Sequence, residues 1–214
     1  MSKQRKPARL LGFACLALVI DLCLPGSALA AHQRDLGFRF REGKCQNEGG
    51  EEGMNPKFPG ECGDLQGESL QNLPLDGVDF SGANLRGARV MGAQLQEAIF
   101  EGANLHNADF RGSDLRGARF TDATAERTNF GQADLTGADL AGVNVQRAQF
   151  VQTILRDADL SGANLRSADM RSADLTGADL NRARLNGALF DRLTILPFGA
   201  SLQDLQRRGV RFVG

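Results

Sequence analysis

The sequence predicts an all-β solenoid, a rod built from stacked four-sided coils. Large apolar residues recur every five positions between residues 78 and 190, and a small residue usually stands two positions before each of them. Phenylalanines at the large position fall into two phases of a 20-residue period. One phase holds Phe80, Phe100 and Phe120, and the phase ten residues away holds Phe110, Phe130, Phe150 and Phe190. A coil of 20 residues with four sides accounts for both periods.

A period of five residues fits neither an α-helix nor a flat strand. On an α-helix each step of five advances by about 140°, so the large side chains would spread around the axis. On a strand an odd step sends successive side chains to opposite faces. If the backbone turns once every five residues, all the large and small side chains point to a common axis. Gly, Asn and Asp suit the corners, because turns need positive φ or local side-chain hydrogen bonds.

The repeating unit resembles the A-(D/N)-L-x-x motif of the pentapeptide repeat family. Clear copies are Ala83-Asn84-Leu85-Arg86-Gly87, Ala103-Asn104-Leu105 and Ala138-Asp139-Leu140-Ala141-Gly142. The resemblance covers about residues 63–195, with imperfect units at Leu65, Leu70 and Leu75. It implies a right-handed quadrilateral β-helix. Residues 73–192 would form six coils, a rod roughly 29 Å long at about 4.8 Å per coil.

One unit departs from the repeat at its centre. Ala125 stands where the other units between residues 78 and 190 carry a large apolar residue. Because a truncated core side chain leaves a space that its neighbours fill only in part, the sequence predicts a small void or a local distortion at this unit.

The first thirty residues, 1–30, have the pattern of a secretory signal peptide. A basic start precedes an apolar run over residues 10–24, and small residues at Ala28 and Ala30 follow it. This pattern predicts cleavage between Ala30 and Ala31. The run has about 15 residues, fewer than the roughly 20 that span a bilayer, which argues against the alternative of an uncleaved anchor.

A bacterial lipoprotein, modified at Cys15 or Cys23, is the other alternative, but neither cysteine has a fitting sequence around it. The protein is therefore predicted to be exported to the periplasm or the extracellular space, and to meet a membrane only transiently through its signal peptide. Cleavage would remove a net charge of +3 from a chain of net charge -1, leaving -4.

Residues 31–62 are expected to cap the first coil, because the end coils of a solenoid expose apolar side chains and strand edges. A partner-binding loop is the alternative for this glycine-rich, charged segment. The expected mature chain keeps two cysteines, Cys45 and Cys62, an even number that predicts one disulfide in an exported protein. Free thiols or two metal ligands are the alternatives, and the lack of a nearby histidine or third cysteine argues against the metal.

Residues 196–214 leave the repeat and are expected to cap the last coil. Ser201 and Asp204 resemble the start of a capping box, which predicts a short helix ending near Arg208. Phe198, Leu202 and Leu205 are expected to cover the last coil.

No arrangement of residues in the sequence indicates an enzyme. The repeat has no Cys and no Lys, and its single histidine, His106, is expected on the surface. Two histidines in the whole chain are too few for a histidine metal cluster. The sequence therefore predicts no catalytic residues, cofactor, metal site or small-molecule substrate.

Charge is distributed unevenly over the four predicted sides. Counted over residues 76–192, the side of Phe80 carries -4, that of Leu85 +4, that of Phe110 +1 and that of Leu95 -4. The near-neutral total argues against a nucleic-acid partner, which would favour a strongly basic surface. The side of Phe80 is a candidate acidic binding face, with six acids: Asp79, Glu101, Asp122, Asp139, Asp159 and Asp179.

Taken together, these features predict a non-enzymatic exported scaffold or protein-interaction module of the bacterial envelope. The protein partner and the oligomeric state do not follow from the sequence. The resemblance implies an alternative, a DNA mimic that binds DNA gyrase, for a chain retained in the cytosol.

Overall fold

The computed structural model describes residues 64–214 in full and, before them, only the backbone of two strands. Strand β1 (Phe38–Arg41) pairs antiparallel with β2 (Lys44–Asn47). The predicted signal peptide, its predicted cleavage site between Ala30 and Ala31, and Cys62 lie outside the described residues. Cys45 lies in β2, so the predicted disulfide stays a prediction.

Residues 64–195 form stacked coils, and the stacking confirms the predicted 20-residue period. Parallel bridges join residues 20 positions apart, from Asp64 with Asn84 to Asp169 with Leu189. Within each five-residue side, the bridge residue comes first, the large central residue follows it, and a two-residue turn leads to the next side. Each side therefore contributes one short strand to a parallel sheet that runs along the rod.

The corners between the sides are β-turns. After most central residues, the amide three positions on donates to the central carbonyl, as Ala88 N does to Leu85 O at 3.0 Å. The second turn residue has positive φ, for example 65° at Gly87 and 57° at Arg127. A single positive φ at this position is the geometry of a type II turn, which glycine adopts with the smallest steric penalty.

The core is a column of central and small residues that runs along the axis. Central residues such as Leu105 and Leu140 are fully buried, and so are most of the alanines two positions before them. Phe80, Phe100 and Phe120 stack with ring centroids 5.2 and 5.0 Å apart, and Phe110, Phe130 and Phe150 stack 5.5 and 5.2 Å apart. The two phases of phenylalanine seen in the sequence are thus two stacks on opposite walls.

Three hydroxyl residues replace alanine at the small position and are buried with their hydrogen bonds made. Ser113, Thr128 and Thr153 each donate to a carbonyl 23 residues earlier, at 2.7–2.8 Å. A buried hydroxyl without a partner would destabilise the fold. These hydroxyls therefore serve the packing of adjacent coils.

Ala125 keeps the regular backbone of its coil, so the predicted local distortion is absent from the hydrogen-bond ladder. Ala125 N donates to Asn144 O at 2.9 Å, and Thr128 N closes the turn to Ala125 O at 3.3 Å. The phenyl rings of Phe120 and Phe130, which flank Ala125 in its coil, are 6.0 Å apart. The corresponding pair in the preceding coil, where Leu105 stands between them, is 5.6 Å apart, so the rings do not close toward the smaller side chain. The void itself stays a prediction.

Ala125→Leu is expected to raise the melting temperature, because the added methyl groups are buried at about 0.8 kcal/mol each. Thermal unfolding followed by circular dichroism measures the change. Ala123→Leu, at a buried small position of the same unit, is the matched control and is expected to destabilise by about 1–3 kcal/mol through overpacking. No gain from Ala125→Leu, or a loss, would show that the neighbours already fill the space.

The last coil contains one extra residue. Asp174 pairs with Ile195, which lies 21 positions on instead of 20. Asp191 organises the wider turn: its carboxylate accepts from Ser172 N (2.9 Å), Leu193 N (3.1 Å) and Thr194 Oγ1 (2.9 Å). Burial by itself would raise the pKa of Asp191, but these hydrogen bonds outweigh it, and the net effect lowers the pKa below its ordinary value.

The C-terminal segment packs on the last coil. Strand β3 (Leu189–Asp191) pairs in parallel with β4 (Arg211–Val213), and helix α1 (Leu202–Arg207) lies between them in sequence. Leu205 of the helix is fully buried. The Arg208 guanidinium donates to the carbonyls of Leu180 (2.7 Å) and Ala183 (2.9 Å), which fastens the end of the helix to the coil.

The expectation that Phe198 and Leu202 cover the last coil is wrong. Phe198 is 86% exposed and Leu202 is 55% exposed. Phe198 lies in a turn before the helix, and Leu202 occupies the first position of the helix, so the chain has already left the path of the coil at both residues. Val210 and Phe212 take part in the covering instead, with the Phe212 ring 6.0 Å from that of Phe190.

Candidate interaction surface

The four sides of the coil give the rod four faces, named here after the central residues Phe80, Leu85, Phe110 and Leu95. Each face presents to solvent most of its bridge residues and turn residues, while the central and small residues point to the core. Because the coils stack 20 residues apart, equivalent residues form straight columns along the rod. Any interaction surface on the repeat is therefore made of such columns.

The predicted acidic face falls into two groups in the structure. Asp79, Asp139, Asp159 and Asp179 all occupy bridge positions, and the last three follow one another in consecutive coils. Their Oδ1 atoms accept the amide of the residue two positions on, at 2.8–3.0 Å. Each of these carboxylates therefore stabilises its own turn and keeps a charge at the surface.

The other two acids of this face, Glu101 and Asp122, lie outside that column. Glu101 is a turn residue whose carboxylate lies 3.3 Å from the guanidinium of Arg119 in the next coil. Asp122 stands at a corner, with φ of 58°. The structure thus brings together three of the six predicted acids as an uninterrupted column and places the rest apart from it.

Three arginines on the Phe110 and Leu95 faces pair with aspartates of their own turns. Arg111 binds Asp109, Arg116 binds Asp114 and Arg171 binds Asp169, at 2.6–2.7 Å. In each pair the aspartate holds the bridge position and the arginine comes two residues later. The hydrogen bond from Arg116 holds the pKa of Asp114 below its ordinary value. These arginines are already neutralised within the rod.

The Leu85 face differs because asparagine replaces aspartate at most of its bridge positions. Asn104 Nδ2 donates to Asn84 Oδ1 (3.3 Å), and Asn164 Nδ2 donates to Asn144 Oδ1 (2.9 Å), which forms two rungs of an amide ladder, separated by Thr124. An amide ladder offers no carboxylate to a nearby arginine. Five arginines of this face are exposed and form no ion pair within residues 64–214: Arg86, Arg127, Arg147, Arg166 and Arg184.

His106 also lies on the Leu85 face, as expected for a surface residue. Its Nδ1 is 3.9 Å from Glu126 Oε2, and its side chain is partly exposed. Within residues 64–214 no group of His, Cys, Asp and Glu side chains has the arrangement of a metal site. In the same part of the chain, no helix is both long enough and apolar enough to cross a bilayer.

A family model describes the same stretch of coils. The model of pentapeptide repeats matches in eight copies, over overlapping segments that run from residue 64 to residue 192. The chain belongs to the pentapeptide repeat family. The quadrilateral β-helix that the sequence predicted is the fold of this family, and the coils, turns and core described above are its features.

Solved pentapeptide repeat structures align with this β-helix. A trypsin-treated variant of QnrB1, a plasmid-mediated fluoroquinolone resistance protein, is 21% identical, with 71% of this chain and 86% of that chain covered and a TM-score of 0.49. A pentapeptide repeat protein from the Arabidopsis thaliana thylakoid lumen is 26% identical, with 56% and 70% covered and a TM-score of 0.37.

HetL, a pentapeptide repeat protein involved in heterocyst differentiation regulation in the cyanobacterium Nostoc, is 28% identical, with 70% and 87% covered and a TM-score of 0.25. A comparison with curated proteins found no match.

Proposed function

We propose that this pentapeptide repeat protein is an exported, non-enzymatic interaction scaffold of the bacterial envelope, processed between Ala30 and Ala31. The observation that carries the proposal is that some polar groups are bonded within the rod while others stay exposed at its surface. Buried hydroxyls and most carboxylates are used inside the rod, in turns and ion pairs, whereas the arginines of the Leu85 face are exposed on a regular frame. Such a surface suits the binding of another protein.

The Cys45–Cys62 disulfide belongs to the same proposal. In an oxidising compartment the pair would close a loop just before the first coil at Asp64. This loop would tie the N-terminal segment to the start of the β-helix and stabilise it as a cap, by about 3 kcal/mol.

Mass spectrometry of the protein recovered from fractionated cells tests the export step. We expect a mature N-terminus at Ala31, an envelope or extracellular location, and no free thiol. Ala30→Arg is the matched variant, because a large charged residue at the cleavage site should block processing. A soluble cytosolic product that keeps Met1 would contradict the proposal and would favour the DNA-mimicking, gyrase-binding alternative.

A further inference from the structure

Two columns of half-buried and exposed residues on adjacent faces carry complementary charges in several of the coils. The Phe80-face column consists of the bridge residues Asp79, Ile99, Arg119, Asp139, Asp159 and Asp179. The Leu85-face column consists of the first turn residues Arg86, His106, Glu126, Gln146, Arg166 and Asn186. Read in order, the two columns pair Asp79 with Arg86 in the first coil and Asp159 with Arg166 in the fifth. In the third coil the signs are exchanged, because Arg119 of the first column is paired with Glu126 of the second.

In the fourth coil the complementary charge comes from the neighbouring corner. Gln146 is followed by Arg147, which is exposed and lies in the same coil as Asp139. Among residues 64–214, neither Arg86, Arg147 and Arg166 nor Asp79, Asp139 and Asp159 take part in an ion pair. Both columns therefore keep charges that a partner could neutralise.

Within one molecule these two columns are held apart. The acidic column lies near the start of its side of the square, whereas the basic column lies near the end of the following side, beyond the corner. When a second rod is turned by a quarter turn about its axis and set alongside the first, its Phe80 face meets the Leu85 face of the first. The chain then runs in opposite directions across the two facing sides, so the end of one side lies opposite the start of the other.

We propose that the Leu85 face of one copy binds the Phe80 face of a second, parallel copy of this chain. The corresponding residues are at most eight positions apart in sequence, which places them within about 2 Å in height when a coil rises by about 4.8 Å. Arg86 then faces Asp79, Arg166 faces Asp159, and Glu126 faces Arg119. The guanidinium groups of Arg86 and Arg166 each gain a carboxylate partner, which arginine favours, and Arg119 meets Glu126 in addition to Glu101, with which it pairs in its own molecule.

The right angle between the two faces determines the size of the assembly. Each added copy is rotated by a quarter turn, so four copies close into a ring with no axial shift. The Leu95 face, opposite the Leu85 face, is a poorer partner because its Asp114 and Asp174 already bind Arg116 and Arg156. If the Leu85 face of one copy bound the Leu95 face of the next, successive copies would keep the same orientation. They would then form an open row of rods instead of a closed ring.

Sedimentation velocity of the protein produced from its full coding sequence tests the proposal. We expect a tetramer in about 10 mM salt, where charges act over roughly 30 Å, and a monomer in about 1 M salt, where screening limits them to about 3 Å. The chain should be studied up to about 1 mM, so that weak association is detected.

Two double variants each remove two charges from one of the two faces and preserve the fold. Asp139→Asn with Asp159→Asn keeps the Oδ1 acceptor for the turn amide, and Arg147→Gly with Arg166→Gln places glycine at a corner whose φ is 59°. Each variant alone should be monomeric in low salt. Their mixture should form dimers only, because each variant retains one working face.

Arg207→Gln with Arg211→Gln, on the C-terminal segment, removes the same charge as the arginine variant and should remain tetrameric.

A wild-type monomer in low salt up to that concentration would overturn the proposal. Assembly that neither face variant alters would do the same, and would point to the exposed apolar residues of the C-terminal segment. A mixture that forms tetramers would overturn the ring geometry. The assay uses purified chain and does not depend on export, so its failure is distinguishable from a failure of the processing experiment.

Discussion

Phe130→Ala is expected to lower the free energy of unfolding by about 3–5 kcal/mol. The Phe130 ring is fully buried, stacks between Phe110 (5.5 Å) and Phe150 (5.2 Å), and meets the Phe120 ring edge-on at 6.0 Å. Its removal opens a cavity beside Ala125, the smallest central residue of the repeat. The rigid ladder above and below limits how far the coils can collapse into that space.

Denaturant unfolding measures this loss, and Phe198→Ala is the matched control. Phe198 is the same residue type but is largely exposed, so its removal should change stability by less than about 0.5 kcal/mol. Equal effects of the two substitutions would contradict the expectation that the buried, stacked ring of Phe130 stabilises the middle coils.

Leu205→Ala is expected to destabilise the C-terminal end by about 2–5 kcal/mol. Leu205 is the only residue of α1 that is buried, and its side chain belongs to the core that continues from the last coil. Losing it should release the helix and leave the apolar end of the last coil exposed to solvent. Because each coil of a solenoid is stabilised by its neighbours, the loss at one end is expected to lower the whole unfolding transition.

Leu202→Ala provides the control within the same helix. Leu202 is more than half exposed, so its loss should be nearly neutral. Hydrogen exchange of the Val210 and Arg211 amides, which donate to Leu205 O and Ala188 O, reports on the cap directly. Protection of these amides that is unchanged by Leu205→Ala would show that β4 holds the end of the rod without the helix.

The regular part of the fold was predictable because a single five-residue unit specifies it. Each large residue, such as Leu105, and the alanine two positions before it have the same surroundings in every coil, so the period alone states which side chains are buried. The sorting of phenylalanine into two phases gave the number of sides, and the stacked rings follow from it.

The candidate surface was predictable only in part. The sequence assigns Asp139, Asp159 and Asp179 to one face, and the net charge of each face follows from counting. Counting does not show which charges are already paired. Arg116 is neutralised by Asp114 at 2.7 Å, whereas Arg166 lies near Asn164 and has no such partner within the described residues. The signal was present in the sequence as the choice between Asp and Asn at the bridge position.

The sequence by itself determined the repeat, its four faces and the residues that line its core, because these depend on a local pattern that every coil copies. The tertiary structure decided the arrangement of the last coil and the C-terminal segment, where the repeat ends. The extra residue before Ile195 is absorbed by the hydrogen bonds of Asp191, and Leu205, rather than Phe198 or Leu202, enters the core. Beyond the last coil no further repeat unit follows. The path of the non-repeating C-terminal segment therefore decides which apolar side chain covers the open end of the coil.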